Sequence, residues 1–139
     1  MIKRILSIGL LNCLSHLFLF SQPESWYITE IASSIDGQTE VPVENGRVDI
    51  VTSTHAIEVE RASNWKHSIG QCLWYALQTN KEPGIILIME SIADRKHGIR
   101  LQSALDYAGL GAKVKVWFYP EDFGGTYESI ENSFNEEKK

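Results

Sequence analysis

The stretch EVPVENGRVDIV, residues 40–51, decides the fold of this chain. Apolar and polar residues alternate on both sides of Asn45-Gly46, the dipeptide most typical of a two-residue β-hairpin turn. The next stretch, HAIEVE over residues 55–60, alternates in the same way. The sequence therefore predicts an antiparallel hairpin and a third strand, joined by a second tight turn at Ser53-Thr54.

Helices and further strands are predicted on both sides of this unit. Residues 23–36 and 63–79 carry apolar residues at helical spacing, and each stretch predicts an amphipathic helix. The continuous apolar run at 85–89 is typical of a strand that is covered on both faces. A helix around 96–108 and a strand over 114–119 complete an α/β fold in the order α-β-β-β-α-β-α-β.

The chain is expected to have three segments. Residues 1–21, MIKRILSIGLLNCLSHLFLFS, begin with a positive charge, continue with an apolar run and end on a small residue, as a secretory signal peptide does. A membrane anchor or a buried helix is the alternative, but polar residues interrupt the run well short of about 18 residues. Residues 22–120 would then form an exported domain, periplasmic or secreted, without a membrane anchor. Residues 121–139 would form an acidic tail.

Composition excludes several classes of protein. The 139 residues, 43% hydrophobic and 22% charged, predict one globular domain. Thirteen Lys and Arg against 18 Asp and Glu give a net charge of −5, which argues against a basic protein that coats duplex DNA. Two cysteines cannot build a disulfide framework or a four-cysteine zinc site. Cys72 is expected to be a buried structural thiol.

The expected hairpin register brings three carboxylates together. A turn at Asn45-Gly46 pairs Glu44 with Arg47, Pro42 with Asp49, and Glu40 with Val51; the other face receives Val41, Val43, Val48 and Ile50. The second turn then places Asp49 opposite Glu58. Glu40, Asp49 and Glu58 would lie within roughly 5–8 Å of one another on one face.

Three carboxylates at that separation repel one another unless a cation lies between them. Oxygen ligands of this kind suit Mg²⁺ or Mn²⁺ rather than zinc. The alternative is a solvated sheet face, because a slip of one residue in register disperses the cluster.

The same residues carry a family resemblance. Glu40, the strand Gly46-Arg-Val-Asp49, Glu58, Trp65 and the helix motif Ile69-Gly-Gln71 occur in that order. The pattern resembles the PD-(D/E)XK nuclease superfamily, and more narrowly a group of small bacterial proteins with a Gly-Arg-Val-Asp strand and an Ile-Gly-Gln helix. The resemblance covers about residues 37–90. It implies a restriction-endonuclease-like core, in which helices flank a mixed central sheet.

The resemblance also implies roles for individual residues. Asp49 and Glu58 would hold the divalent metal, with the main-chain carbonyl of Val59 and an upstream glutamate, either Glu40 or Glu30. Glu40 is preferred because the hairpin register places it on the correct face. The cofactor would be Mg²⁺ or Mn²⁺, which polarises a phosphodiester and lowers the pKa of an attacking water. The substrate would be nucleic acid, with DNA favoured over RNA.

The chain departs from the superfamily at the motif lysine, which steadies the water and the developing charge. Glu60 occupies that position, and Asn64 stands where the nearest group carries a lysine before the tryptophan. Lys66 follows the tryptophan instead. It lies about 140° around the helix from Gln71, so its long side chain would have to curl into the site. Glu60 is expected to form an exposed ion pair with Arg47.

Two functions follow as expectations. The first is a metal-dependent nuclease, whose activity is either full or weakened. Its site residues would be Asp49, Glu58, Lys66, Gln71 and Glu40. The second is a non-catalytic interaction or nucleic-acid-binding module on the same fold, including a homodimer through Trp74. Trp74 and Tyr75 lie outside the apolar stripe of their helix, so bases, a second copy or the tail could cover them.

Overall fold

The structure, a computed structural model, describes residues 21–128. The signal-peptide interpretation therefore lies outside the described residues except for Ser21, and so does the acidic tail from residue 129 onward. Within the described range, no helix has the length and apolar character needed to span a membrane.

Three helices and five strands make up the described fold. They are α1 (Glu24–Ser34), β1 (Gln38–Val43), β2 (Gly46–Val51), β3 (His55–Arg61), α2 (Lys66–Thr79), β4 (Glu82–Ile88), α3 (Arg95–Tyr107) and β5 (Lys115–Tyr119). The strands form one sheet in the order β1-β2-β3-β4-β5. The first three are antiparallel, whereas β3, β4 and β5 run parallel. An α/β fold with a mixed, helix-flanked sheet is therefore confirmed, and its elements follow the order expected from the sequence patterns.

The helices cover opposite faces of the sheet. Tyr27 and Ile31 of α1 pack with Ile57 and Val59 of β3 on one face. On the other face, Cys72 of α2 packs with residues of β4 and α3. The apolar side chains of β4 at 85–88 are fully buried, as expected for a strand between two helical layers. Cys72 is also fully buried, which confirms its expected place in the core.

The first hairpin turn differs from the expected one. Val43 pairs with Gly46, so Glu44 and Asn45 are the central residues of the turn, and Asn45 adopts a φ of 57°. The expected pairs of Glu44 with Arg47, Pro42 with Asp49 and Glu40 with Val51 are wrong. Gly46 is needed in the strand instead, because a Cβ there would lie 2.7 Å from Cε1 of Tyr75.

This shift moves each pair of the hairpin by one residue on both strands. Glu40 lies across from Asp49 between the pairs Thr39–Ile50 and Val41–Val48. The second turn is at Ser53-Thr54 as expected, because the amide of Thr52 donates to the His55 carbonyl at 2.9 Å.

One amide at the outer edge of β5 is capped by a side chain. The amide of Phe118 donates to Oδ2 of Asp122 at 2.7 Å. Asp122 lies in the short 3₁₀ turn Glu121–Phe123 that follows the strand. A carboxylate thus takes the position of a further strand at this amide.

Candidate functional site

The candidate site lies where β2 and β3 separate. The two strands pair only at Ile50–Ile57 and Val51–Ala56. At the next position, the amide of Val59 donates to Oδ2 of Asp49 at 2.9 Å instead of to the β2 backbone. Because the N–H and C=O of one strand residue point to the same side, the Val59 carbonyl faces this gap as well.

Glu58 lies at the bottom of the gap, with 6% of its surface exposed. With the Gln71 amide oriented toward acceptors, its nitrogen donates to Oε1 of Glu58 and to the His67 carbonyl, each at 3.0 Å. The other oxygen, Oε2, is buried and accepts no hydrogen bond. A buried carboxylate oxygen without a donor is costly, and a bound cation would remove that cost.

Asp49 and Glu58 form a close pair of buried acids that share a hydrogen bond. Burial raises the pKa of each group, and the charge of Asp49 raises the pKa of Glu58 further. The Val59 amide acts in the opposite direction on the pKa of Asp49. These directions are those of two carboxylates forced together in a poorly solvated gap.

Glu24 is the site residue that sequence analysis missed. Burial and the charges of Glu60 and Asp49 raise the pKa of Glu24 to about 7, and its carboxyl group shares a hydrogen bond with Glu60. The helix α1 starts at Glu24, and its first turn lies beside the end of β3. Glu30, the alternative upstream glutamate, is exposed on the same helix. The position of Glu24 at the start of α1 is the sequence feature that could have identified it, because a helix packed along a strand brings its end close to the end of that strand.

Glu60 does not form the expected ion pair. Arg47 pairs with Glu40 instead, with Nε 2.6 Å from Oε2. Glu60 is 9% exposed and accepts a hydrogen bond from the amide of Arg61 at 3.0 Å. The guanidinium of Arg61 is directed elsewhere, toward Glu90. The separation of β2 from β3 explains the change, because the two strands pair only at Ile50–Ile57 and Val51–Ala56 and Arg47 no longer lies across from Glu60.

An open cleft of about 680 Å³ leads to these acids. Glu24 and Ile28 of α1, Glu40 and Asp49 of the hairpin, and Tyr75 of α2 are among its lining residues. Two of the sequence-predicted residues, Glu40 and Asp49, therefore line the cleft, whereas Glu58 and Gln71 contact each other and do not line it. The structure brings together Glu40, Asp49, Glu58, Val59 and Gln71.

Lys66 does not belong to this group. Its side chain is exposed, and Nζ stands 5.9 Å from the centre of the Trp65 ring. The two aromatic residues of α2 have structural contacts. Tyr75 is 7% exposed and packs with Val48 and Ala56, whereas the indole N–H of Trp74 donates to the Glu44 carbonyl at 3.0 Å. Both residues therefore hold the hairpin against α2.

The residues present suit a hard divalent cation. Carboxylate oxygens of Asp49 and Glu58, with the Val59 carbonyl, are the donor types that Mg²⁺ and Mn²⁺ prefer. The unsatisfied Oε2 of Glu58 is the observation that fits such an ion. Among residues 21–128, no three His, Cys, Asp or Glu side chains already stand in the arrangement of a closed metal cage.

Comparison with known proteins gives one similarity in sequence. The chain is 36% identical over 77 residues to a KilA-N domain-containing protein of Acanthamoeba polyphaga mimivirus. The match covers 53% of this chain and 21% of the viral protein, so the chain spans about a fifth of the length of that relative. No family model matches the chain, and no solved structure matches it.

Proposed function

We propose that this protein is a divalent-metal-dependent nuclease of the restriction-endonuclease-like kind. The observation that carries the proposal is the buried pair of Glu58 and Asp49: Oε2 of Glu58 accepts no hydrogen bond, and burial and the charge of Asp49 raise the pKa of Glu58. Such a pair is stabilised by a cation with oxygen ligands. The open cleft beside it could admit a phosphodiester.

Each residue of the site has a defined task in this proposal. Asp49 and Glu58 would hold the metal with the Val59 carbonyl, and Gln71 would fix the orientation of Glu58 through its 3.0 Å contact. A bound Mg²⁺ or Mn²⁺ supplies Lewis-acid chemistry and an activated water. Glu24 and Glu40 would border the metal and accept a proton or a water hydrogen bond. Nucleic acid is the proposed substrate.

A direct assay tests the proposal. The purified chain is incubated with circular DNA, linear DNA and RNA in Mg²⁺, Mn²⁺ or EDTA. We expect cleavage that needs the metal and falls by about 1,000-fold or more in Asp49→Asn, because that change removes a charged ligand. Glu30→Gln is the matched control, since Glu30 is an exposed glutamate outside the cleft. Cleavage that survives in Asp49→Asn would refute the assigned site.

A binding module without catalysis is the second candidate. It is favoured by Glu60, an acid at the position of the motif lysine, and by Lys66, which stands over Trp65 rather than in the cleft. In that case the chain binds nucleic acid in a gel-shift assay but leaves it intact under every metal condition. Calorimetry with Mn²⁺ then shows whether the carboxylates still hold a cation.

A further inference from the structure

A second concave site lies at the opposite end of β3. It has a volume of about 300 Å³ and is lined by His55, Ile57, Ile86, Trp117, Phe123 and Thr54 among others. His55 precedes Glu58 by three residues, which corresponds to roughly 10 Å along a strand. Ile57 lines this pocket and packs with α1, whereas Glu58 contacts Gln71 of α2.

Trp117 forms the aromatic wall of the pocket because a glycine makes room for it. A Cβ at Gly84 would lie 2.9 Å from Cζ3 of Trp117 and 3.1 Å from Cγ1 of Ile57. The glycine therefore lets the indole lie across β4 from the edge strand β5. The ring reaches His55, with 5.3 Å between ring centres and 74° between ring planes.

The imidazole of His55 is held in one orientation. Its Nδ1 lies 2.8 Å from Oγ1 of Thr54. The amides of Thr54 and His55 both donate to Oγ1 of Thr52, at 3.3 and 3.0 Å. Because Nδ1 is engaged, Nε2 is the ring atom that can meet a ligand in the pocket.

Two ammonium groups lie near residues that line the pocket, although neither lysine lines it. Nζ of Lys115 stands 5.8 Å from the centre of the Trp117 ring. Nζ of Lys81 donates to the carbonyl of Ser53 at 2.9 Å. In a chain of net charge −5, cations beside an aromatic wall match a ligand that is both planar and anionic.

We propose that this pocket binds a nucleobase bearing a phosphate, with the base stacked on Trp117 and the phosphate near Lys115. Aromatic side chains accept any base through its π-face, and a cavity of this size is at the lower end of the range for small ligands. The base comes either from a free nucleotide or from a single-stranded chain. The proposal goes beyond the nuclease function and stands without it.

Titration calorimetry and NMR of the full chain in EDTA test the proposal. The ligands are 5′-AMP, 5′-GMP, 5′-CMP, 5′-UMP, a hexamer of deoxyadenylate, and ribose 5-phosphate as the probe without a base. We expect at least one mononucleotide or the hexamer to bind and to shift the indole N–H signal of Trp117. In Trp117→Leu, binding should weaken about tenfold or more. The matched control is Trp74→Leu, which removes an indole on the other side of the fold.

Each outcome decides the proposal. Stronger binding of the mononucleotides than of the hexamer assigns a free nucleotide, and the reverse assigns a base within a strand. Binding of ribose 5-phosphate as tight as that of 5′-AMP would overturn the stacking of a base. Absence of any binding, or equal binding by wild type and Trp117→Leu, would overturn the site.

If Trp117→Leu fails to fold, Gly84→Ala displaces the indole by a single methyl group and serves in its place. Asp49→Asn should bind the nucleotide as wild type does, because the pocket does not use that carboxylate. This variant separates the two proposals: loss of nuclease activity without loss of nucleotide binding leaves the pocket standing.

Discussion

The two ends of β3 are bordered in different ways. At His55 the strand pairs with β2, and the tight turn at Ser53-Thr54 closes the ladder. At Val59 the partner strand has departed, and the carboxylate of Asp49 takes the amide instead. The side chain of Asp49 thus replaces the backbone of β2 as the acceptor, so a carboxylate lies in the gap between the two strands. Closure of the ladder produces a packed aromatic end, and its opening produces an acidic end.

A change of pH and metal should separate the two ends most strongly. In EDTA, we expect the free energy of unfolding to be on the order of 2–4 kcal/mol lower at pH 8 than at pH 5. Burial and neighbouring charges raise the pKa values of Glu24, Asp49 and Glu58, that of Glu24 to about 7. Groups with raised pKa values favour the folded state while they are protonated. This contribution to the free energy of unfolding is complete below the pKa values of the unfolded chain, and it is lost as the pH rises through the pKa values of the folded chain. Urea unfolding at both pH values measures it.

Two additions sharpen this measurement. Saturating Mg²⁺ should restore stability at pH 8, because the ion binds only the folded chain. The double variant Asp49→Asn/Glu58→Gln should lose most of the pH dependence and the response to Mg²⁺. A wild-type protein with the same stability at pH 5 and pH 8 would contradict the clustering of these acids.

The contact between the hairpin and α2 should be the next most sensitive. Gly46→Ala puts a methyl group 2.7 Å from the Tyr75 ring, so we expect a loss of about 1–3 kcal/mol in the free energy of unfolding. Gly70→Ala is the matched control, since a Cβ there meets nothing within 4 Å. In the middle of α2 it should stabilise the fold by about 0.5–1 kcal/mol. Equal melting temperatures for the two variants would contradict the Tyr75 contact.

The smallest expected effect concerns the missing cation. Glu60→Lys would place an ammonium group beside Glu24 and Glu58 and restore the lysine of the E-X-K motif. We expect metal-dependent cleavage to rise about tenfold, because the added charge stabilises negative charge on the phosphate. Glu60→Gln removes the same repulsion without adding a cation. If Gln raises the rate as much as Lys, relief of repulsion alone explains the gain.

Local patterns predicted most of the sheet. The alternation around Asp49 and Glu58 and the turn at Ser53-Thr54 placed these two acids across from each other, and the structure agrees at the adjoining pairs. The run at 85–89 was recognisable because only a strand covered on both faces can be apolar throughout. These predictions depend on neighbours in sequence or on one tight turn.

The remaining features depend on packing between distant elements. The dipeptide Asn45-Gly46 favoured a turn one residue later than the observed one. The observed turn places Gly46 in the strand against the Tyr75 ring, and no local sequence pattern shows this contact. The proximity of Glu24 to Glu60 depends on how α1 lies along the sheet. The position of Lys66 over Trp65 is likewise a side-chain contact that helical periodicity does not determine.

The carboxylate of Asp122 at the Phe118 amide has a consequence for self-association. An exposed edge strand offers unpaired amides on which another chain can add a strand and start aggregation. Here one such amide is already occupied, so a second chain must displace a charged acceptor before it can pair along β5. The occupied amide therefore protects the edge of β5 against the addition of a strand from another chain.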